Sequence, residues 1–237
     1  MKEMKLGIMQ PYFFPYIGYF QLLNAVDEFV VYDNIEYTRK GWINRNRMLC
    51  NGKDAFFTIP LQKDSDFLDV RERHISENWK SEKKKILSRI FESYRKAPYI
   101  ESVFPLVESC FNYEEKNLFG YIYHSIEKIS GFLNISTPLV VSSTIEIDHD
   151  LRAAEKVIAI CHSRRAKQYL NPIGGVKLYN REQFMKEGIE LKFIRTGDVV
   201  YRQFDNEFVS SLSIMDVLMF NSVEKTGEFM NRAFEIE

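Results

Sequence analysis

The chain has 237 residues, long enough to bury a full core, and its 45% hydrophobic and 27% charged content is that of an ordinary globular protein. Thirty-two basic side chains against thirty-three acidic ones leave a formal charge of -1, so no global field draws the chain to nucleic acid or anionic lipid, and any anion site has to be local. The first residues hold no apolar run of signal-peptide length and no later stretch approaches the ~20 apolar residues of a membrane span, so a cytoplasmic protein is expected.

Residues 5–9 (KLGIM) form a strand candidate, 18–25 have the apolar spacing of a short helix, and 28–33 (EFVVYD) read as a second buried strand. Strand, helix and strand in about thirty residues make a right-handed βαβ unit with parallel strands. Its first turn, QPYFFPYIGYF, therefore lies at the carboxyl edge of the sheet, where open α/β folds bind ligands. Residues 55–61 and 69–75 resemble a strand pair, and 79–94, 103–113 and 114–133 have helical spacing. The α/β rhythm returns at 138–143 (PLVVSS). Asp150 is then a candidate N-cap for a helix over 151–163, AKQYL is a strand, 179–188 is a helix closed by Gly188, and IELKFIR is a last strand. The predicted fold is α/β: one doubly wound, mainly parallel five-stranded sheet of nucleotide-binding (Rossmann-like) type in a single domain over 1–237, with a strand pair and a largely helical lobe inserted at about 52–135.

Three stretches carry residues suited to chemistry. In the first turn, Pro11 and Pro15 remove two backbone donors and favour extended backbone at the residue before each, and Gly18 allows a close approach. Gln10, with Tyr12 and Tyr19 nearby, offers polar groups at the strand end, although aromatic packing alone also accounts for the turn. In YDNIEYTRKGWINRNRM, Asp33 ends the second strand on the same edge. Tyr37 and Trp42 offer stacking faces there, Asn44 an amide, and Lys40, Arg45 and Arg47 cations for a phosphate; a solvated loop is the plainer alternative. In QYLNPIGGVKLYN, Asn171, Gly174, Gly175 and Tyr179 follow a strand and precede a helix, a natural anion seat or simply a tight turn. His74, His124, His149 and His162 have no metal-ligand spacing, and Cys50, Cys110 and Cys161 form neither a zinc nor a redox pattern, so neither metal nor cofactor is predicted.

Taken together, QPYFFPYIGYF, VVYDNIEY, KGWINRNRM, SENWK, YRKAPYI, YLNPIGGVKLY and SLSIMDVLMFN resemble the WbqC-like protein family over essentially the whole chain. The resemblance implies a role in bacterial surface-polysaccharide (O-antigen) biosynthesis, as a transferase placing an acyl or aminoacyl group on a nucleotide-linked amino sugar, with the acyl donor unspecified. In that reaction Asp33 would accept the amine proton, with Gln10 and Asn44 as donors to the oxyanion and the remaining residues named above holding substrate. A more distant similarity links YIGY to the HxGH turn of nucleotidyl transferases and pantothenate synthetases, with Tyr16 and Tyr19 in the histidine positions. An adenylate-forming ligase and a non-catalytic nucleotide-sugar binding module are the alternatives.

Overall fold

The computed structural model describes residues 3–237. The βαβ unit is β1 (Lys5–Met9), α1 (Ile17–Asn24) and β2 (Glu28–Val31). A long excursion follows through β3 (Arg45–Cys50), β4 (Lys53–Thr58), α2 (Trp79–Tyr94), α3 (Ile100–Phe111) and α4 (Leu118–Phe132). The chain then forms β5 (Leu139–Val141), α5 (Ala153–Ser163), β6 (Gln168–Pro172), α6 (Arg181–Lys186), β7 (Glu190–Thr196), α7 (Ile214–Phe220), α8 (Val223–Arg232) and β8 (Phe234–Ile236).

The central sheet has six strands in the order β5-β2-β1-β6-β7-β8. The first five pair in parallel, and β8 pairs antiparallel with β7. The predicted five-stranded sheet is thus extended by a mixed edge. Three residues carry no readable periodicity, and β8 reaches its place only because α7 and α8 return the chain along the outer strand.

Alternation along the strands supplies a core on each face. Phe29 and Val31 pack with α1 and the helices of the excursion, whereas Leu6, Ile8, Val30 and Tyr169 pack with α5 and α6. Gly188 closes α6 at φ 69°, the left-handed conformation that a glycine adopts without cost. The start of α5 differs from expectation: Arg152, not Asp150, is its N-cap residue, because Asp150 is held in a preceding turn by its N–H to the Asp148 carboxylate. The helix predicted over 114–133 likewise starts later, at Leu118, where the Asn117 side chain accepts from Gly120 N–H.

The expected pairing of 55–61 with 69–75 is reduced to one isolated antiparallel bridge, Leu61 with Ile75. β4 pairs instead with β3 across the two-residue turn Asn51-Gly52, with φ 51° and 73°. Asn-Gly is the dipeptide that favours such a turn, since its twist matches that of the flanking strands. Residues 70–72 form a single 3-10 turn, flanked by isolated bridges of Asp69 with Glu36 and of His74 with Asn117.

The turn after β1 is held from three sides. Phe14 has φ 47°, rare for a bulky side chain and contrary to the extended backbone expected before Pro15. The Asn46 amide of β3 donates to the carbonyls of Phe13 (3.2 Å) and Phe14 (2.8 Å), and Ile43 accepts from Phe13 N–H. Ile214 N–H donates to Pro15 O at the start of α7. Gly18 lies beneath this turn with the Tyr16 ring and the Thr196 hydroxyl where a Cβ would be, so its role is packing and not ligand approach.

Asn46→Ala leaves the carbonyls of Phe13 and Phe14 without their buried donor and is expected to cost about 2 kcal/mol or more in a urea unfolding titration. Asn46→Asp is expected to cost more, because a carboxylate would face two carbonyl oxygens. Parent-like stability of the aspartate variant would show that the turn holds without this amide.

Candidate functional site

Doubly wound sheets bind ligands at the carboxyl edge, where consecutive crossovers leave in opposite directions. Here that point lies between β1 and β6: from β1 the chain winds outward to β2 and β5, then returns to β6 on the other side of β1. A cavity of about 480 Å³ occupies it, floored by Ile8, Met9 and Gln10 of the β1 end and by Tyr169, Asn171 and Pro172 of β6. Tyr12, Tyr16, Tyr32, Trp42 and Tyr179 form much of its walls. Two smaller hollows adjoin it. One, of about 210 Å³, shares Tyr12, Tyr16 and Trp42 and adds Pro15, Asn46, Arg47 and Ser211. The other, of about 300 Å³, shares Tyr32 and Tyr179 and adds Asn34, Arg152 and Lys156. The three make one groove across the sheet edge.

Apart from tyrosines, no titratable side chain lines the central cavity. Desolvation, reinforced by the neighbouring Tyr16, pushes the Tyr12 phenol up to about 12, and desolvation with Tyr179 beside it does the same for Tyr32. Burial also raises Tyr16 and Tyr179. All four are therefore neutral hydrogen-bond donors near pH 7. The Gln10 Oε1 accepts from the Tyr12 hydroxyl (3.2 Å), which leaves the Gln10 NH2 group, without an acceptor among the described residues, in the lining of the cavity. Tyr169 donates to the Asn171 Oδ1 (3.2 Å), and the Asn171 Nδ2 packs into the space above Gly175 that a Cβ would fill.

The residues singled out in the sequence divide into two groups. Gln10, Tyr12, Trp42, Asn171, Gly174, Gly175 and Tyr179 line the central cavity, and Pro15 and Arg47 the hollow beside it. The rest are occupied elsewhere. Asp33 is buried and accepts from Ser142 Oγ (2.8 Å), Ser143 N–H (2.9 Å) and Ser143 Oγ (2.6 Å), so both carboxylate oxygens bind the end of β5 to the end of β2. It lines none of the three hollows, and both of its oxygens are engaged by the serines. Asn44 accepts from the Tyr37 hydroxyl (2.8 Å) and donates to Ile59 O (2.7 Å), which makes both buried struts of the lobe. Arg45 donates to the carbonyls of Gly41 and Lys40, closing its own loop, while the Lys40 side chain stands in solvent. Tyr19 is buried in the core, its hydroxyl without a partner. The Asn171–Gly175 loop continues into a 3-10 turn over Ile173–Gly175, and α6 starts only at Arg181, so no helix N-terminus faces the cavity there.

Trp42 stacks on Phe56 with ring centroids 6.0 Å apart, and the Arg47 guanidinium lies 5.5 Å from the indole centroid. Arg47 also pairs with Asp54 (3.2 Å) and donates to Ser211 O (3.0 Å). Its charge is therefore shared between the Trp42 end of the groove and a neighbouring carboxylate.

Tyr16, Tyr32 and Tyr169 line the cavity without having been singled out as site residues; in a strand or a proline-rich turn an aromatic reads first as core. Lys156 had a visible signal: it is a lysine beside Val157 and Ile160 on the apolar side of a helix. Among the described residues no three or more histidine, cysteine, aspartate or glutamate side chains cluster so as to hold a metal ion, and no helix is long and apolar enough to cross a membrane.

An uncharacterized protein of Mycobacterium tuberculosis, Rv1507c, is 28% identical over 229 residues, covering 95% of this chain and 97% of that one. No solved structure matches the chain. The profile of the WbqC-like protein family matches residues 10–228, from the glutamine at the end of β1 to the middle of α8. The chain belongs to the WbqC-like protein family.

Proposed function

We propose that the groove binds a nucleotide-linked amino sugar and that the protein is an acyl or aminoacyl transferase acting on its amine during surface-polysaccharide biosynthesis. The observation that carries this reading is the aromatic, phenol-lined cavity at the switch point of the sheet, continuous with hollows that hold cations at both ends. Flat rings stack on such walls, sugar hydroxyls accept from phenols and amides, and a diphosphate needs a cation beyond the neutral floor.

Amide formation from an activated acyl group requires a neutral amine held against the carbonyl, and donors aimed at the oxyanion that forms. The Gln10 NH2 group and the Tyr16 hydroxyl supply such donors in one wall, and Tyr12 holds Gln10 in place. Asp33 contributes by holding the β2 and β5 ends in register.

The same neutral floor favours a second reading, a carrier that binds the nucleotide sugar and passes it on unmodified, since no carboxylate, imidazole, thiol or amine lines the central cavity. A mass-spectrometric assay with nucleoside-diphosphate amino sugars and acyl thioesters separates the two: an acylated sugar establishes the transferase, and calorimetric binding without product establishes the carrier. Absence of both binding and product defeats the first reading and the second alike.

Trp42→Ala is expected to weaken nucleotide-sugar binding about tenfold, or ~1.4 kcal/mol, in calorimetry. Gln10→Ala is expected to lower kcat by about 10² to 10³ with little change in KM, the cost of one oxyanion donor. Full activity in Gln10→Ala would remove that residue from the reaction.

Asp33→Asn is expected to keep turnover within a few-fold of the parent while lowering the thermal midpoint, because an amide presents one acceptor where the carboxylate presents two. Loss of turnover at unchanged stability would restore Asp33 as a base.

A further inference from the structure

Lys156 is a buried side chain, 4% exposed, at the start of α5. Its ammonium donates to His149 O (3.2 Å) and Asn34 O (3.5 Å) and lies 5.5 Å from the Tyr32 ring centroid. It makes no ion pair with any described residue. A buried cation without a paired anion is costly, so a ligand anion beside it would offset part of that cost. Asp69 and Asp33 favour its charge from a distance, yet burial outweighs them and, with Arg152 and Arg71 nearby, holds its pKa below the ordinary lysine value.

Lys156 lines the hollow of about 300 Å³ that shares the Tyr32 and Tyr179 walls with the central cavity. Arg152, exposed, lines the same hollow, and α5 begins at that point, so its unpaired N–H groups add partial positive charge. Glu36 is the acidic residue in this lining and sits in solvent at the rim. At the other end of the groove, Arg47 is already paired with Asp54 and Arg45 with its own loop.

We propose that Lys156 and Arg152 form an anion subsite that seats a phosphate group of the ligand, so that the nucleotide sugar lies with its phosphates at the α5 end and a ring toward Trp42. Two unpaired cations at one end and a stacked indole at the other set this polarity. The identity of the whole ligand rests on the nucleotide-sugar reading above, whereas the charge of the group held here rests on the hollow alone.

The test is calorimetric titration of the full chain with inorganic pyrophosphate. Pyrophosphate is expected to bind the parent, with Lys156→Met weakening binding at least tenfold and Arg152→Gln by a smaller factor. Arg152 is exposed, so Arg152→Gln keeps the test decisive if Lys156→Met does not fold. No binding to the parent, or parent-like binding by either folded variant, overturns the subsite. Loss of binding in Arg47→Gln with both other variants unaffected also overturns it and moves the phosphate to the Trp42 end. Succinate is the second probe: tighter binding of the dicarboxylate than of pyrophosphate overturns the assignment to phosphate. If pyrophosphate behaves as expected while nucleotide-linked amino sugars neither bind nor react, the activity proposed above fails and the subsite stands.

Discussion

One amide holds the groove together. Asn46 donates to two successive carbonyls of the turn after β1, and only a side chain with an NH2 group serves both acceptors at once. The left-handed Phe14 between them is a conformation costing about 1 to 3 kcal/mol, which persists only where surrounding contacts over-determine it. Its ring and that of Phe13 are buried against Phe111, while Tyr12 and Tyr16, on either side, face the cavity. A single turn is thus core on one side and ligand wall on the other. Because Asn46 belongs to β3, the same bonds fasten the hairpin of the lobe to the central sheet, and Trp42 and Arg47 are carried to the groove with it.

The parts legible in the sequence were those set by local pattern. Alternating or continuous apolar runs marked all five parallel strands, and the spacing of α2 and the glycine after α6 marked those helices. The switch point followed, since it depends only on strand order and handedness. What escaped depended on partners far along the chain. Asp33 has the residue type and the place of a base, but serines 109 and 110 residues away close on both of its oxygens. The lobe hairpin was within reach, because Asn51-Gly52 between two apolar runs is a strong local turn signal that was passed over in favour of a longer-range pairing. Arg45 was misread for a different reason: a guanidinium has five donors, and two of them found carbonyls within five residues before any ligand could.

The charge pattern of the groove narrows what it can do. Phenols raised to about 12 neither carry charge nor accept a proton near neutrality, so the floor orients a ligand through donors and stacking. In a site partly closed to water those hydrogen bonds are stronger than in solution, and a fixed donor incurs little reorganisation when charge develops on an oxygen in front of it. Such a floor suits a reaction in which the electrophile arrives already activated and the nucleophile already neutral. In such a reaction the protein would contribute position and oxyanion stabilisation, with proton transfer left to solvent or to the ligand itself.

That division also explains how YIGY differs from the histidine-bearing turn it resembles. Phosphoryl chemistry gathers negative charge on transferring oxygens and calls for cations or charged donors at the turn. Here Tyr16 offers a neutral hydroxyl and Tyr19 is buried out of reach, while Lys156 of α5 and Arg152, the N-cap residue of that helix, line another hollow. A phosphate held in the hollow of Arg152 and Lys156 would lie among residues that the YIGY turn does not share. On the proposed reading, the place where phosphate is gripped is separate from the one where hydrogen-bond donors converge. A ligand that spans both, anionic at one end and reactive in the middle, meets each requirement with a different part of its length.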